Sequence, residues 1–119
     1  MSKQVQDAYI VAATRTPIGK APRGCFRHTR PDDLLIVAIR SALQQVPSLD
    51  PQAIEDAIIG CAMPEGTQGL NMGRIAALLA GLPNTVGGVT VNRFCALLEH
   101  PKTQERIMGM LQTGKPVRN

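Results

Sequence analysis

Apolar and polar positions along this chain fall into blocks that predict strand, helix, strand, helix, strand. Ala8-Tyr9-Ile10-Val11-Ala12-Ala13 is apolar on both faces and too short for an ordinary helix. It predicts a buried strand ending at the Thr14-Arg15-Thr16-Pro17 turn. Ile18 to Thr29 shows no period and carries Gly19, Pro22 and Gly24, which marks a loop. Pro31 then fits a first helical position, and Asp32 and Asp33 complement the dipole of the first turn. Leu35, Ala38, Ile39, Ala42, Leu43 and Val46 follow at helical spacing toward a core, and Pro47 ends the helix. Asp50-Pro51 predicts a short helical turn before a second apolar strand, Ala57 to Ala62. Pro64 to Gly69 is loop again. Asn71 can cap a second helix with Ile75, Leu78 and Leu79 on its inner face, ended by Gly81 and Pro83. After a turn from Asn84 to Gly88, Val89 to Phe94 predicts a third strand.

That order is an α/β arrangement: a βαβαβ unit of three parallel strands with covering helices, joined by right-handed crossovers. Beyond it a short helical tail is expected from Lys102, with Ile107, Met108 and Leu111 on one face and Gly114-Lys115-Pro116 ending it. In such sheets chemistry gathers at the carboxyl ends of the strands. Cys95 directly follows the third expected strand.

Composition narrows the picture. A chain of 119 residues holds one core, and 44% hydrophobic with 18% charged residues is globular composition. Two Phe, one Tyr and no Trp leave the core to aliphatic residues, as buried parallel strands require. The net charge of +4 has one local concentration, Lys20, Arg23, Arg27, His28 and Arg30. A nucleic-acid surface would interleave such a cluster with stacking rings, and only Phe26 is near, so a nucleic-acid partner is not expected. The cluster reads as a solvated loop, or one that meets an anionic small molecule or a partner subunit. Cys25, Cys61 and Cys95 are far apart with no C-x-x-C pair, and the Cys25–His28 spacing has no second ligand pair, so no metal is expected. No apolar run suits a signal peptide or a membrane span, and free thiols suit a reducing cytoplasm.

A thiol becomes a nucleophile when its thiolate is stabilised, and a helix opening just after a strand offers backbone N–H groups that do so. The same groups can receive an oxyanion. Cys95 stands where such a helix would begin, although an isolated cysteine at a strand end is more often a small buried hydrophobe, and spacing alone favours that reading. Cys61, inside the second expected strand, reads as packing. Cys25 reads as a plug or an incidental thiol in the glycine-bearing loop. Neither His28 nor His100 has a spacing that makes it the base for Cys95. Dinucleotide, phosphate-loop and Gly-x-Ser-x-Gly signatures are absent from the chain.

Five separated segments together carry a family resemblance. Ala8 through Lys20 resembles the opening strand and loop of thiolases, the acetyl-CoA C-acyltransferases. Thr29-Arg30-Pro31-Asp32-Asp33-Leu34-Leu35, Ile54 through Cys61, and Gln68-Gly69-Leu70-Asn71 with Arg74 continue it in order. Val89-Thr90-Val91-Asn92-Arg93-Phe94-Cys95-Ala96 is similar to the strand that delivers the nucleophile. The resemblance covers about residues 6 to 96 and is nearest to bacterial degradative 3-ketoacyl-CoA thiolases.

It implies that Cys95 attacks the ketone of a 3-ketoacyl-CoA, that acetyl-CoA leaves, and that a second coenzyme A takes the shortened acyl group, as in fatty acid β-oxidation. Coenzyme A is then a substrate, with no bound cofactor, no metal and no membrane. It also implies a five-layered fold of two similar halves that is homo-oligomeric through the first half. Residues 1–96 are expected to be part of that first half, and 97–119 an unrelated tail, since Leu97-Leu98-Glu99-His100-Pro101 replaces the family's small residues. The family's base lies in a Gly-His-Pro segment and its proton-shuttling thiol in a Cys-x-Gly segment. Neither occurs here. The expectation is an acyltransferase by family, truncated and inactive alone, or alternatively a non-catalytic fragment that associates with intact thiolase subunits.

Overall fold

The structure, a computed structural model, describes residues 7–92 together with positions 101, 102, 104, 105, 108 and 112. Its elements are helix α1 (Pro31–Gln45), a 3-10 turn (Pro51–Ala53), strand β1 (Asp56–Gly60), a 3-10 turn (Gly66–Gln68), helix α2 (Met72–Ala80) and strand β2 (Gly87–Val91). The six described positions beyond residue 100 are helical. β1 and β2 run parallel with Asp56 opposite Gly87 and Gly60 opposite Val91. The α/β class therefore holds, but with two strands among the described residues where three are expected.

The missing one is the first. Ala8 to Ala13 forms no ladder, and Tyr9, Ile10 and Val11 are 81%, 91% and 73% exposed. An apolar run becomes a strand only when a neighbour pairs its backbone. Here the backbone of Ala13 is engaged by a side chain instead: its N–H donates to Gln45 Oε1 (3.2 Å) and its carbonyl accepts from Gln45 Nε2 (3.1 Å). Thr14 and Ser41 hydroxyls meet at 3.0 Å, tying the segment to α1 rather than to the sheet.

α1 begins at Pro31 and ends one residue before Val46, with Pro47 following, as its breakers dictate. Its Ile39 and Leu43 pack with Ile54 and Ala57 against the buried cluster of Ala77, Leu82 and Val86. Arg40 reaches from α1 to the far end of α2, donating to the carbonyls of Leu79 (2.8 Å) and Ala80 (3.2 Å). A cation there satisfies orphan carbonyls at the negative end of the helix dipole. Gly81 takes the left-handed conformation (φ 95°) that closes α2, with Leu82 N–H donating to the Ala77 carbonyl at 3.1 Å.

The inner face of α2 differs from expectation. Ile75, Leu78 and Leu79 are 36%, 44% and 52% exposed, while Met72, Gly73, Ala76, Ala77 and Ala80 are buried. The reason is distance. A Cβ on Gly73 would stand 2.6 Å from the carbonyl oxygen of Val89, and one on Gly88 would collide with the backbone of Arg74. Helix and strand touch through bare backbone at Gly73 and Gly88, so beyond Met72 the seam is filled by small residues and Ile75, Leu78 and Leu79 turn outward. Among the described residues, no helix is long and apolar enough to cross a membrane.

Candidate functional site

The carboxyl ends of β1 and β2 lie beside the amino end of α2, because α2 returns antiparallel to the strands it connects. One network holds this junction. Asn71, the N-cap of α2, accepts from Arg74 N–H at 3.2 Å. The next orphan donor, Gly73 N–H, is satisfied from outside the helix by Thr90 Oγ1 of β2 at 3.0 Å. The Thr90 hydroxyl in turn donates to Asn71 Oδ1 (2.9 Å), and Asn71 Nδ2 donates to the Gly88 carbonyl (2.7 Å). Two of the four free N–H groups at the start of α2 are thus capped jointly by a loop residue and a strand residue. The effect is to fix β2 lengthwise against α2.

Arg74 secures the other end of β2. Its guanidinium donates to the carbonyls of Val86 and of Asn84, the latter at 2.9 Å. Cys61 follows β1 and is 6% exposed, its N–H donating to the Val91 carbonyl (3.0 Å) and its thiol to Gln68 Oε1 (3.5 Å). That is a packed, hydrogen-bonded thiol, in keeping with its structural reading. Cys25 is exposed rather than a buried plug. His28 is exposed, with Nε2 accepting from Arg27 Nε at 3.0 Å.

Cys95, the expected nucleophile, lies outside the described residues, as do His100, Leu97 and Leu98. In sequence it follows Asn92, the last described residue of this run, by three positions. The structure brings together the strand that leads to Cys95, the α2 amino end and the thiol of Cys61. Among the described residues, no group of three or more His, Cys, Asp or Glu could hold a metal ion.

Beside the α2 amino end opens a cleft of about 290 Å³, lined in part by Arg30, Asp32, Thr67, Leu70, Met72 and Ile75. Asp32 is 8% exposed, and Arg30 grips it with three hydrogen bonds of 2.8 to 3.2 Å. Hydrogen bonds from the Arg30 guanidinium hold the Asp32 carboxyl below its usual range, against desolvation, which raises it. The sequence marks Asp32 only as a helix-dipole partner. Its burial follows from the fold, and the signal that could have revealed it is the basic residue two positions before. Leu70 adopts φ 59° at the lip of the cleft, a left-handed conformation that a leucine rarely takes. Thr90 as a cap for α2 has no local signal, since the two residues it joins are 17 positions apart.

A family model described as "Thiolase, N-terminal domain" matches residues 8–97. The 3-ketoacyl-CoA thiolase of Bacillus subtilis (strain 168) is 47% identical over 92 residues, which cover 77% of this chain and 23% of that protein. The 3-ketoacyl-CoA thiolase of Saccharophagus degradans is 47% identical over 95 residues, 80% of this chain and 24% of that one. Among solved structures, the crystal structure of the Bacillus anthracis acetyl-CoA acetyltransferase superposes with a TM-score of 0.63 at 33% identity. That match covers 71% of this chain and 21% of the other. The chain spans about a quarter of the length of the curated relatives it matches.

Proposed function

This chain belongs to the thiolase family, and from that premise we propose that it supplies the nucleophile-bearing part of an acyltransferase acting on acyl-CoA thioesters through Cys95. The observation that supports this reading most directly is the clamp of Asn71 and Thr90 on β2. It fixes the strand whose continuation is Asn92-Arg93-Phe94-Cys95-Ala96, inside the matched span. A strand locked lengthwise is what a nucleophile at its end needs, because misplacement by about 1 Å can cost on the order of a hundredfold in rate.

In the proposed reaction the Cys95 thiolate attacks the ketone carbon of a 3-ketoacyl-CoA. The carbon–carbon bond breaks, the acyl group stays on sulfur as a thioester, and acetyl-CoA leaves after protonation of its carbanion. A second coenzyme A thiol attacks that thioester, takes the shortened acyl group and restores the thiolate. The reverse sequence is condensation. Coenzyme A is substrate and product throughout, and no bound cofactor is needed. A role in fatty acid β-oxidation and a cytoplasmic setting belong to the same proposal, the first in keeping with relatives named as 3-ketoacyl-CoA thiolases and the second resting on the free thiols of the sequence.

Turnover needs a base and a proton shuttle as well as a nucleophile, and these act as a unit. The chain carries no Gly-His-Pro and no Cys-x-Gly segment. Acylation of Cys95 is therefore the half-reaction to test on this chain alone. Incubation with acetyl-CoA followed by intact-mass and peptide analysis is expected to show one acetyl group on Cys95, lost in Cys95→Ala. Equal labelling of Cys25, or persistence in Cys95→Ala, overturns the assignment.

A second reading is a non-catalytic fragment that associates with intact thiolase subunits. It is favoured by the uncovered face of the sheet, where Ile58, Val89 and Val91 are 69%, 45% and 39% exposed. Parallel strands are ordinarily covered on both faces. Co-purification with a full-length subunit supports this reading, and a strictly monomeric chain that ignores such a subunit removes it.

A further inference from the structure

We infer that residues 101–114, beyond the span matched to thiolases, dock as an amphipathic helix on the open face of the β1–β2 sheet of the same chain. The inference stands apart from acyl transfer by Cys95. It makes the tail a competitor for the surface on which the second reading places a partner subunit.

Successive side chains of a strand point to opposite faces, so each face can be assigned. Ala57 packs with Ile39 and Leu43 of α1 against the buried cluster. Thr90 and Gly88 face α2, the first through Gly73 N–H and the second against the backbone of Arg74. Both helices therefore cover one face. Asp56, Ile58 and Gly60, with their register partners Gly87, Val89 and Val91, form the other. There Ile58, Val89 and Val91 make a continuous exposed apolar strip, on a kind of sheet that ordinarily buries both sides. Asp56 marks its amino end. The carboxylate leans over the opposite glycine, since a Cβ on Gly87 would collide with Asp56 Oδ1. It is exposed and, among the described residues, has no ion-pair partner.

The tail matches this face in pattern, length and charge. Its described positions are helical, and Pro101, Gln104, Glu105, Met108 and Gln112 are exposed. At 3.6 residues per turn these five share one side of a helix. The same period assigns Thr103, Ile107, Met110 and Gly114 to the opposite side, with apolar Ile107 and Met110 at its middle. A helix over 101–112 is about 18 Å long, and a five-residue strand about 16 Å. A helix this short is marginal in water unless an amphipathic face is packed. Positions 93–100 separate Asn92, just past β2, from Pro101, and eight residues reach as far as about 26 Å, ample to turn back over the sheet. The helix then runs antiparallel to the strands, as connections that follow parallel strands do. That direction brings Lys115 and Arg118, which come after the helix, to the amino end of the strip, where Asp56 stands. A second copy seated on the same face would offer no cation, since its six positions carry Asp56 as their one charge.

The test is carbodiimide cross-linking of the full chain, prepared as an equal mixture of unlabelled and isotope-labelled protein, followed by peptide mass spectrometry. The expected product is an amide between the Asp56 carboxyl and the Lys115 amine within one chain. Ile107→Asp/Met110→Asp should lower its yield about tenfold or more and raise the fluorescence of an apolar dye, because two apolar side chains lose their cover. Ile58→Thr/Val89→Thr, which keeps β-branched residues in the strands, should do the same from the other side. The tail variant changes no residue of the body, so it remains decisive if the sheet variant fails to fold. A link found mainly between labelled and unlabelled chains assigns the face to a second copy and overturns the inference. So does absence of the Asp56–Lys115 link, or an equal yield in wild type and the tail variant. Acetyl labelling of Cys95 in the tail variant separates this outcome from the fate of the acyl-transfer proposal.

Discussion

Replacing Thr90 by valine removes one hydroxyl and keeps the shape of the side chain, so it isolates the clamp between β2 and α2. Two interactions disappear. Gly73 is buried, and its N–H loses the only acceptor it has in the network. Leaving such a donor unsatisfied costs about 1–3 kcal/mol. The hydrogen bond from Thr90 to Asn71 Oδ1 is lost as well, for about 0.5–1.5 kcal/mol. Thr90 is half-buried, so the extra methyl group recovers part of this, and the net loss is about 2–3 kcal/mol. In urea that is a midpoint shift of about 1–2 M at unchanged slope. Thr90→Ser keeps the hydroxyl and should lose only about 0.8 kcal/mol for the missing methyl group. Combined with Asn71→Ala, Thr90→Val should be non-additive by about 0.5–3 kcal/mol, because both variants dismantle the same network. If Thr90→Val unfolds at the wild-type midpoint, or if valine and serine behave alike, the hydroxyl does not cap α2 and the reasoning fails.

Three further outcomes follow from the same geometry. Val86 is fully buried against Ala77 and Leu82, so Val86→Ala should cost about 2–3 kcal/mol, from two lost methylene-sized groups and the cavity they leave, measured by denaturant unfolding. Gly73→Ala brings a Cβ within 2.6 Å of the Val89 carbonyl, so it should destabilise by about 1–3 kcal/mol although alanine is the better helix former. Because Arg30 lowers the folded-state pKa of Asp32, the stability Asp32 contributes is present above the ordinary carboxylate pKa near about 3.9 and disappears as pH falls through the lower folded value. Acid unfolding followed by circular dichroism should show that limb, and Asp32→Asn should flatten it.

What the sequence made legible divides along a physical line. Features set by a residue and its near neighbours could be read directly: Pro31 opening α1, Asp50 and Pro51 making a 3-10 turn, Asn71 capping α2 and Gly81 closing it. Features set by distance across space could not. Helical spacing points Leu78 and Leu79 toward the core because hydrophobicity measures an appetite for burial. Which face is buried depends on how closely the neighbouring backbone approaches, and Gly73 opposite Val89 decides that. Ala8 to Ala13 has strand composition, yet pairing is a property of two segments, and Gln45 occupies the backbone of Ala13. The candidate nucleophile was legible only through the surrounding motifs, since Cys95 shares its residue type with the packed Cys61 and the exposed Cys25.

The clamp explains why those motifs sit where they do. Asn71, Arg74 and Thr90 are polar residues in segments that would otherwise be apolar, and each spends its polarity on backbone groups of the α2–β2 seam. Arg74 holds Val86, the residue that leads into β2, and Thr90 holds the strand near its end, one residue before Val91. A five-residue strand pinned at both ends cannot slip along its partner. A slip of one residue would turn every side chain to the opposite face, carrying Thr90 away from Gly73 and leaving a buried N–H unpaired. The same energy that caps α2 therefore sets the register of β2, and with it the position from which the chain continues toward Cys95.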